Sequence, residues 1–357
     1  MTRQFERRWL SALWTLTLLC SLSAALGPAQ AQAQAIETLD LELAALLRQR
    51  PRAVPREIEV STAARISQSA ADAPAVTYVL TSGDIERYGL RNMEDILRTM
   101  PGLYTTSDTM FTYVGARGLG RSGDYNARLL FLIDGVRVNE NIYDAGLLGG
   151  EFFVDVDLIE RVEYAPGPGS PLYGNNAFFG VINVITKRGD KLRGGALHFN
   201  RDTAGVQTAR ARWGHRAAAG WEAWLGVSES RQQRKPWVFV EAQDHVDEQR
   251  DLFWMQGQRV FGSFNAGGLA LRAGMSRHVY GLPEYIGGSQ PDPPVRFGQN
   301  RNVALNHLLA LSCAGELGPN LDWHVAASLK RSGLYWRYPF EDEAGQRQDF
   351  DGRSLGA

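Results

Sequence analysis

The sequence predicts an α+β domain followed by antiparallel membrane β-strands, with an export segment in front. Three observations predict it: an arginine-flanked apolar run opens the chain, residues 57–190 mix short strands with two capped helices, and from residue 191 apolar and polar residues alternate with period two. Composition marks the same boundaries. Residues 1–35 carry a net charge of +2, residues 36–190 of −6 and residues 191–357 of +3, and the 9 tryptophans fall two, none and seven in these pieces. With 38 Lys and Arg against 39 Asp and Glu, the chain lacks the basic surplus that a nucleic-acid partner requires, and 2 cysteines exclude a disulfide scaffold.

In the first piece, Arg3, Arg7 and Arg8 precede an apolar run over residues 9–26, and Gly27-Pro28 then leads into AQAQAQA. That order predicts a cleavable signal peptide over residues 1–35, cut after Ala31, Ala33 or Ala35. A membrane anchor is the competing reading, since about 18 apolar residues span a bilayer; the small-residue pattern that follows favours the signal. Cys20 falls inside the apolar run, which leaves Cys313 as the cysteine of a processed chain. Residues 36–56 read as a helix and linker: Leu39, Leu43, Leu46 and Leu47 share one face of a helix over residues 37–50, and Pro51 and Pro55 stop it.

Residues 57–65 (EIEVSTAAR) alternate like a short strand between prolines and a small, polar stretch, and read as an exposed, extended peptide. A strand over 76–80 follows. Ser82 is placed to cap a helix with Asp84 and Glu86 in its first turns and Gly89 at its end; Asn92 is placed to cap a second that runs through Met93, Ile96, Leu97 and Met100. Further strands are expected over 111–117, 128–133, 161–164 and 181–186, with a tight Asp134-Gly135 turn into 136–138. In residues 160–187, ERVEYAPGPGSPLYGNNAFFGVINVITK, a strand enters a Gly/Pro turn and a small-residue loop before an apolar strand suited to burial on both faces. Gly167, Gly169 and Gly174 could admit a phosphate, but no Lys-Ser/Thr accompanies them and a strand follows where a phosphate-binding loop needs a helix.

Residues 57–188 resemble the plug domain of TonB-dependent outer-membrane receptors, in six pieces that follow the family's order. IEVSTA (58–63) resembles the TonB box. Residues 72–80 and DIERYGLRNMEDILRTMPGL (84–103) resemble the first strand and helix pair, YVGARG (113–118) the strand ending in Arg-Gly, FLIDGVRV (131–138) the Asp-Gly turn, and residues 160–187 the closing signature. The resemblance implies that Glu57, Ile58, Glu59, Val60, Ser61, Thr62 and Ala63 bind the inner-membrane TonB energy-coupling protein, by a mode that suits strand addition to a partner's sheet edge. It makes Arg117, Gly118, Asp134, Gly135, Gly167, Gly169, Tyr173, Gly174 and Gly180 structural plug residues. It also implies outer-membrane lipid and a scarce small-molecule ligand as partners, a ferric siderophore before haem, cobalamin or another nutrient, and neither cofactor nor nucleic acid.

After residue 191, Leu269, Leu271, Ala273 and Met275 interleave with Ala270, Arg272, Gly274 and Ser276, and similar alternation covers 303–313 and 324–330. One face then meets lipid and the other a polar lumen, with tryptophans at the interfaces. A soluble sandwich alternates identically; the leader and the plug-like domain select the barrel. Arg210, Arg212 and Arg272 are expected to face inward and pair with the plug's surplus acid. The remaining 167 residues hold about seven strands against the roughly 22 of a plugged barrel, and the end DFDGRSLGA lacks a strand-final aromatic residue. Residues 191–357 are therefore read as the N-terminal portion of a barrel, with a non-transporting fragment or a secreted interaction module as the alternative. Ligand contacts are expected from loops over 104–113 and 139–149, at Tyr104, Tyr113, Asn139, Asn141 and Tyr143. No Ser/His/Asp set is recognisable, and the 6 histidines lack metal-ligand spacing, so an enzyme or metal centre is not expected.

Overall fold

The computed structural model describes residues 59–60, 62, 68–69, 76–107, 111–121, 123–203, 205–240, 246–281, 301–318, 321–341 and 347–356. The expected signal segment, the helix over 37–50, and Glu57, Ile58, Ser61 and Ala63 lie outside these residues.

β1 (Glu59–Val60) and β2 (Gln68–Ser69) form a two-residue antiparallel pair, Glu59 opposite Ser69. β3 (Tyr78–Thr81) runs directly into α1 (Ser82–Tyr88). Thr81, one residue before the expected Ser82, is the cap: its Oγ1 accepts the Asp84 N–H at 3.3 Å, and the Asp84 carboxylate accepts the Thr81 N–H at 3.1 Å. A capping box needs its acid three residues after the cap, and Asp84 has that spacing from Thr81. Gly89 ends α1 at φ 65°, and Asn92 caps α2 (Met93–Thr99) by accepting the Asp95 N–H at 2.8 Å. Ile85, Met93, Ile96 and Leu97 bury the inner faces of the two helices.

A five-stranded sheet backs these helices in the order β3-β8-β9-β6-β7, formed with β6 (Leu129–Ile133), β7 (Val136–Arg137), β8 (Ile159–Pro166) and β9 (Gly180–Thr186); β6 and β9 pair in parallel. Both faces are covered. Phe131, Ile133, Val162, Tyr164, Ile182 and Val184 join the helices in the main core, whereas Leu130, Leu132 and Val181 pack with Ala177 and Tyr173 in a second cluster. The expected loop over 104–113 is in large part a hairpin: β4 (Leu103–Ser107) pairs with β5 (Thr112–Ala116). LYTTS is rich in aromatic and β-branched residues, so pairing with β5 overrides its polar character. One helical turn, α3 (Ser170–Tyr173), interrupts the small-residue loop after β8.

The remaining strands are β10 (Gly194–Arg201), β11 (Val206–Arg216), β12 (Glu222–Val240), β13 (Val246–Ala266), β14 (Leu269–Tyr280), β15 (Arg301–Glu316), β16 (Asp322–Glu341) and β17 (Arg347–Gly356). They form one eight-stranded antiparallel sheet in sequence order, β10 and β17 being its edges. The count exceeds the expected seven because turns at 202–205, 217–221 and 267–268 use few residues. Connections at one end are short (217–221, 267–268, 317–321), and those at the other include residues 281–300. Alternation sets the faces: Leu309 and Leu311 are 48% and 47% exposed, whereas Asn306, Leu308 and Ala310 on the opposite face are buried. Leu269, Leu271, Val325 and Leu329 continue the exposed apolar face. The buried face packs on the α+β domain, where Trp224, Phe261 and Leu308 join its core.

Candidate functional site

The seam between domain and sheet is charged. Arg210 and Arg259 approach one carboxylate, Asp155, at 2.6 and 3.2 Å; Arg272 meets Asp134 at 2.8 Å; His278 Nδ1 meets Glu151 at 3.0 Å; and Arg188 meets Glu222 at 3.0 Å. Lys330 donates to the Asn139 carbonyl. Arg210 and Arg272 thus occupy the inward positions expected of them. Arg212 lies in the wall of a small cavity with Asp157. Burial, and then the charge of Arg212, lower the Lys187 pKa. Burial opposes ionisation of Glu151, but the hydrogen bond from His278 and its charge hold the carboxyl below its ordinary value.

Asp134 shows how local sequence serves this seam. Asp134 and Gly135 both adopt positive φ, 47° and 81°, which fits the tight turn joining β6 to β7. The Asp134 carboxylate also accepts the Thr186 N–H and hydroxyl at 2.9 and 2.8 Å, so the turn is tied to β9 and to Arg272 of β14 at once. The other plug-motif residues shape the β8–β9 connection and the turn after β5. Arg117, at φ 55°, donates its N–H to the Gly102 carbonyl at 2.7 Å, and Gly118 follows at φ 78°. Gly167, Gly169 and Gly174 donate N–H groups to Phe179, Ala177 and Ser170. Any Cβ at Gly180 would lie 2.7 Å from the Ala165 carbonyl oxygen.

Toward the end of the sheet that bears the 281–300 connection, a cavity of about 70 Å³ opens between domain and sheet. Phe111, Tyr113, Tyr125, Tyr143 and Tyr280 supply its rings, and His278, Glu151, Asn306 and Ser332 its polar edge. Tyr125 and Tyr143 stack at 5.1 Å and 17°, and Phe111 stands edge-on to Tyr125 at 5.6 Å and to Tyr280 at 6.1 Å. Glu140 fixes the loop beneath them by accepting the N–H groups of Ile142, Tyr143 and Ala145 at 2.5, 2.6 and 2.9 Å. Asn126 ties β5 to that loop, accepting from the Val114 N–H at 2.6 Å and donating to the Gly146 carbonyl at 2.9 Å.

Of the five expected ligand-contact residues, the structure places Tyr113 and Tyr143 in this wall. Tyr104 lies on β4 and donates to the Gly120 carbonyl at 2.8 Å. Asn139 is fully buried and structural: it accepts the Phe131 N–H at 2.8 Å and donates to the Leu129 and Asp144 carbonyls at 3.0 Å each. Asn141 donates to the Lys330 carbonyl at 3.4 Å. Sequence reasoning missed Phe111, Tyr125, His278 and Tyr280. The first lies two residues before Tyr113, an alternation that marks one face of a strand; nothing local marks the others.

Within the N-terminal segment, Glu59 and Val60 are extended as expected, but Thr62 is not solvent-facing. Glu59 and Val60 are paired in β1, and Thr62 is 1% exposed. The Thr62 N–H and hydroxyl donate to Glu163 Oε2 at 3.0 and 2.5 Å, and the Tyr173 hydroxyl donates to the Thr62 carbonyl at 2.9 Å. The backbone groups of Thr62 find partners on the domain, which the alternating pattern does not disclose.

The TonB-dependent Receptor Plug Domain family matches residues 69–181. Residues 69–181 are thus similar to the plug domain of TonB-dependent receptors. The chain is 36% identical over 144 residues to the vitamin B12 transporter BtuB of Vibrio vulnificus, a match covering 39% of this chain and 22% of that protein. The plug and its sheet share the fold of the ferric enterobactin receptor of Pseudomonas aeruginosa, at 17% identity and TM-score 0.54, over 83% of this chain and 46% of that one. The ferric-catecholate import receptor Fiu from E. coli K12 is similar at 15% identity and TM-score 0.53, over 80% and 45%. The chain therefore spans about a fifth of the length of the curated relative it matches and under half of these solved receptors. These relatives are transporters and receptors, and the eight antiparallel strands match part of their barrels, without closure among the described residues.

Proposed function

We propose that this chain serves in TonB-dependent uptake of a scarce ligand across the outer membrane, after export by the signal peptide over residues 1–35. The observation that carries the reading is the aromatic cavity walled jointly by plug and sheet, toward the end that bears the long connection. Outer-membrane barrels have short periplasmic turns and long outer loops, so this end faces outward. A ligand seated there touches the plug through Tyr113, Tyr125 and Tyr143 and the sheet through His278 and Tyr280. Its binding energy therefore acts across the seam that must loosen for passage. TonB binds the segment over residues 57–63 by strand addition and pulls on the plug.

For the ligand we place a cobalamin ahead of a ferric siderophore. The relative matched at 36% identity is a vitamin B12 transporter, whereas the siderophore receptors share the fold at under a fifth identity. The described lining holds Glu140 and Glu151 and neither Lys nor Arg, a poor counterpart for an anionic ferric catecholate. Calorimetric titration of the detergent-solubilised chain with cyanocobalamin and with ferric enterobactin tests this. Saturable cobalamin binding, weakened about tenfold by Tyr143→Ala, is expected from the loss of one ring contact. Binding of ferric enterobactin alone overturns the ligand assignment, and binding of neither overturns the site.

A further inference from the structure

We propose that Arg277, His307 and Arg331 form a binding site for the phosphate of a membrane lipid, on the exposed face of the sheet toward the end that bears the 281–300 connection. The inference rests on that face lying in lipid and is independent of the ligand that the aromatic cavity takes.

Alternation and register bring the three side chains together. On β14, Ser276 and His278 turn toward the plug, Ser276 donating to the Glu151 carbonyl at 2.5 Å and His278 meeting the Glu151 carboxylate, so Arg277 between them belongs to the outer face. On β15, Asn306 and Leu308 are buried, whereas His307 and Leu309 are exposed. His307 is paired with Met275 of β14 on one side and with Arg331 of β16 on the other, and Arg277, two residues beyond Met275, stands diagonal to it. Arg331 is exposed, next to Leu329 on the same face. Opposed residues have Cβ atoms about 5 Å apart and diagonal ones about 7 to 8 Å, so the three basic side chains rise from one patch. Tyr335 borders it: the ring folds back over Gly333, where a Cβ would lie 3.1 Å from Cε2 and 3.4 Å from the hydroxyl.

Like charges directly opposed destabilise a sheet, and among the described residues the register sets no Asp or Glu opposite or diagonal to His307 or Arg331. An anion between them removes that repulsion, and a guanidinium presents paired donors that match a phosphate. Height on the sheet says which anion. Trp323, 40% exposed, stands at the short-turn end of β16, and about eight residues separate it from Arg331. At about 3.3 Å per residue and a tilt of about 40°, Arg331 lies about 20 Å up, near the rim of an apolar band roughly 25 Å tall. Val325, Leu329, Leu309 and Leu311 present apolar surface beneath it. A basic side chain on the lipid face is costly at mid-bilayer and tolerated at the rim, where lipid phosphates lie above their acyl chains. The occupant is therefore a phosphorylated lipid, its phosphate on the basic patch and its chains along the leucines.

Native mass spectrometry of the full chain in a non-ionic detergent reads the site by the lipid it retains. Dipalmitoyl phosphatidic acid is expected to be retained about tenfold better than dipalmitoylglycerol, which has the same chains and no phosphate. His307→Gln combined with Arg331→Gln is expected to lower that retention about tenfold, and Arg331→Lys, which keeps the charge, by under about threefold. Arg193→Gln, at an exposed residue just before β10 at the opposite end of the sheet, is expected to leave it unchanged. Circular dichroism checks the fold of each variant, and if the double variant does not fold, the comparison of the two lipids on the parent chain decides. Equal retention of the two lipids, or a folded double variant that retains phosphatidic acid like the parent, overturns the site. Glycerol 3-phosphate binding as tightly as phosphatidic acid assigns the patch to a free anion and overturns the lipid.

Discussion

Asp134 illustrates how one side chain joins a turn, a strand and the sheet beyond the plug. The Arg272 side chain is 17% exposed, so removing its partner leaves a mostly buried cation unpaired. Asp134→Ala is predicted to cost about 3 kcal/mol, because loss of one partner from a buried pair is costly and alanine also tolerates positive φ poorly. Asp134→Asn keeps the turn geometry and part of the hydrogen bonding, and about half that loss is expected in urea unfolding of the detergent-solubilised chain. Glu151 makes a prediction about pH. Its folded pKa lies below the ordinary 4.5, so its ionised form stabilises the packed state. That contribution is complete above pH 4.5 and is lost as pH falls through the depressed folded value. Thermal midpoints should therefore fall more steeply below pH 4.5 for the parent chain than for Glu151→Gln.

At the scale of elements, the capping of α1 separates what spacing reveals from what it leaves ambiguous. Thr81 and Ser82 are both capping residue types, and the acid three residues after Thr81 decides between them. Thr81→Ala is predicted to lower stability by about 1 kcal/mol and Ser82→Ala by under about 0.5, measured by the same unfolding curves. The two helices, β8, β9 and the Asp134-Gly135 turn are legible because cap spacing, apolar runs and turn chemistry are local signals. β4 was hidden because Thr105, Thr106 and Ser107 read as polar loop until β5 pairs with them. The inward arginines Arg210 and Arg272 were legible from alternation. The cavity was not, since Tyr125, Tyr143 and Tyr280 are far apart in sequence and meet through tertiary folding alone. Thr62 was read as solvent-facing for the same reason, its partner Glu163 lying 101 residues away.

For the molecule as a whole, the two faces of the eight-stranded sheet meet different surroundings. One face presents Leu269, Leu271, Leu309, Leu311 and Leu329 outward, and the other carries Ser276, Asn306 and the arginines that pair with the plug. In lipid every strand N–H and C=O must be paired within the protein, which the meander supplies for its interior strands. The domain meets the inner face through ion pairs and through Trp224, Phe261 and Leu308, which join its core, whereas the outer face carries exposed leucines.

The most direct test of that arrangement is quenching by brominated lipid of a fluorophore attached to single cysteines, in a chain carrying Cys20→Ser and Cys313→Ser and reconstituted in vesicles. Labels at Leu271→Cys, Leu309→Cys and Leu329→Cys are predicted to be quenched strongly, and labels at Ser276→Cys, Asn306→Cys and Ala310→Cys to be spared. Equal quenching of the two sets, or quenching of neither, would contradict a membrane sheet whose polar face holds the plug.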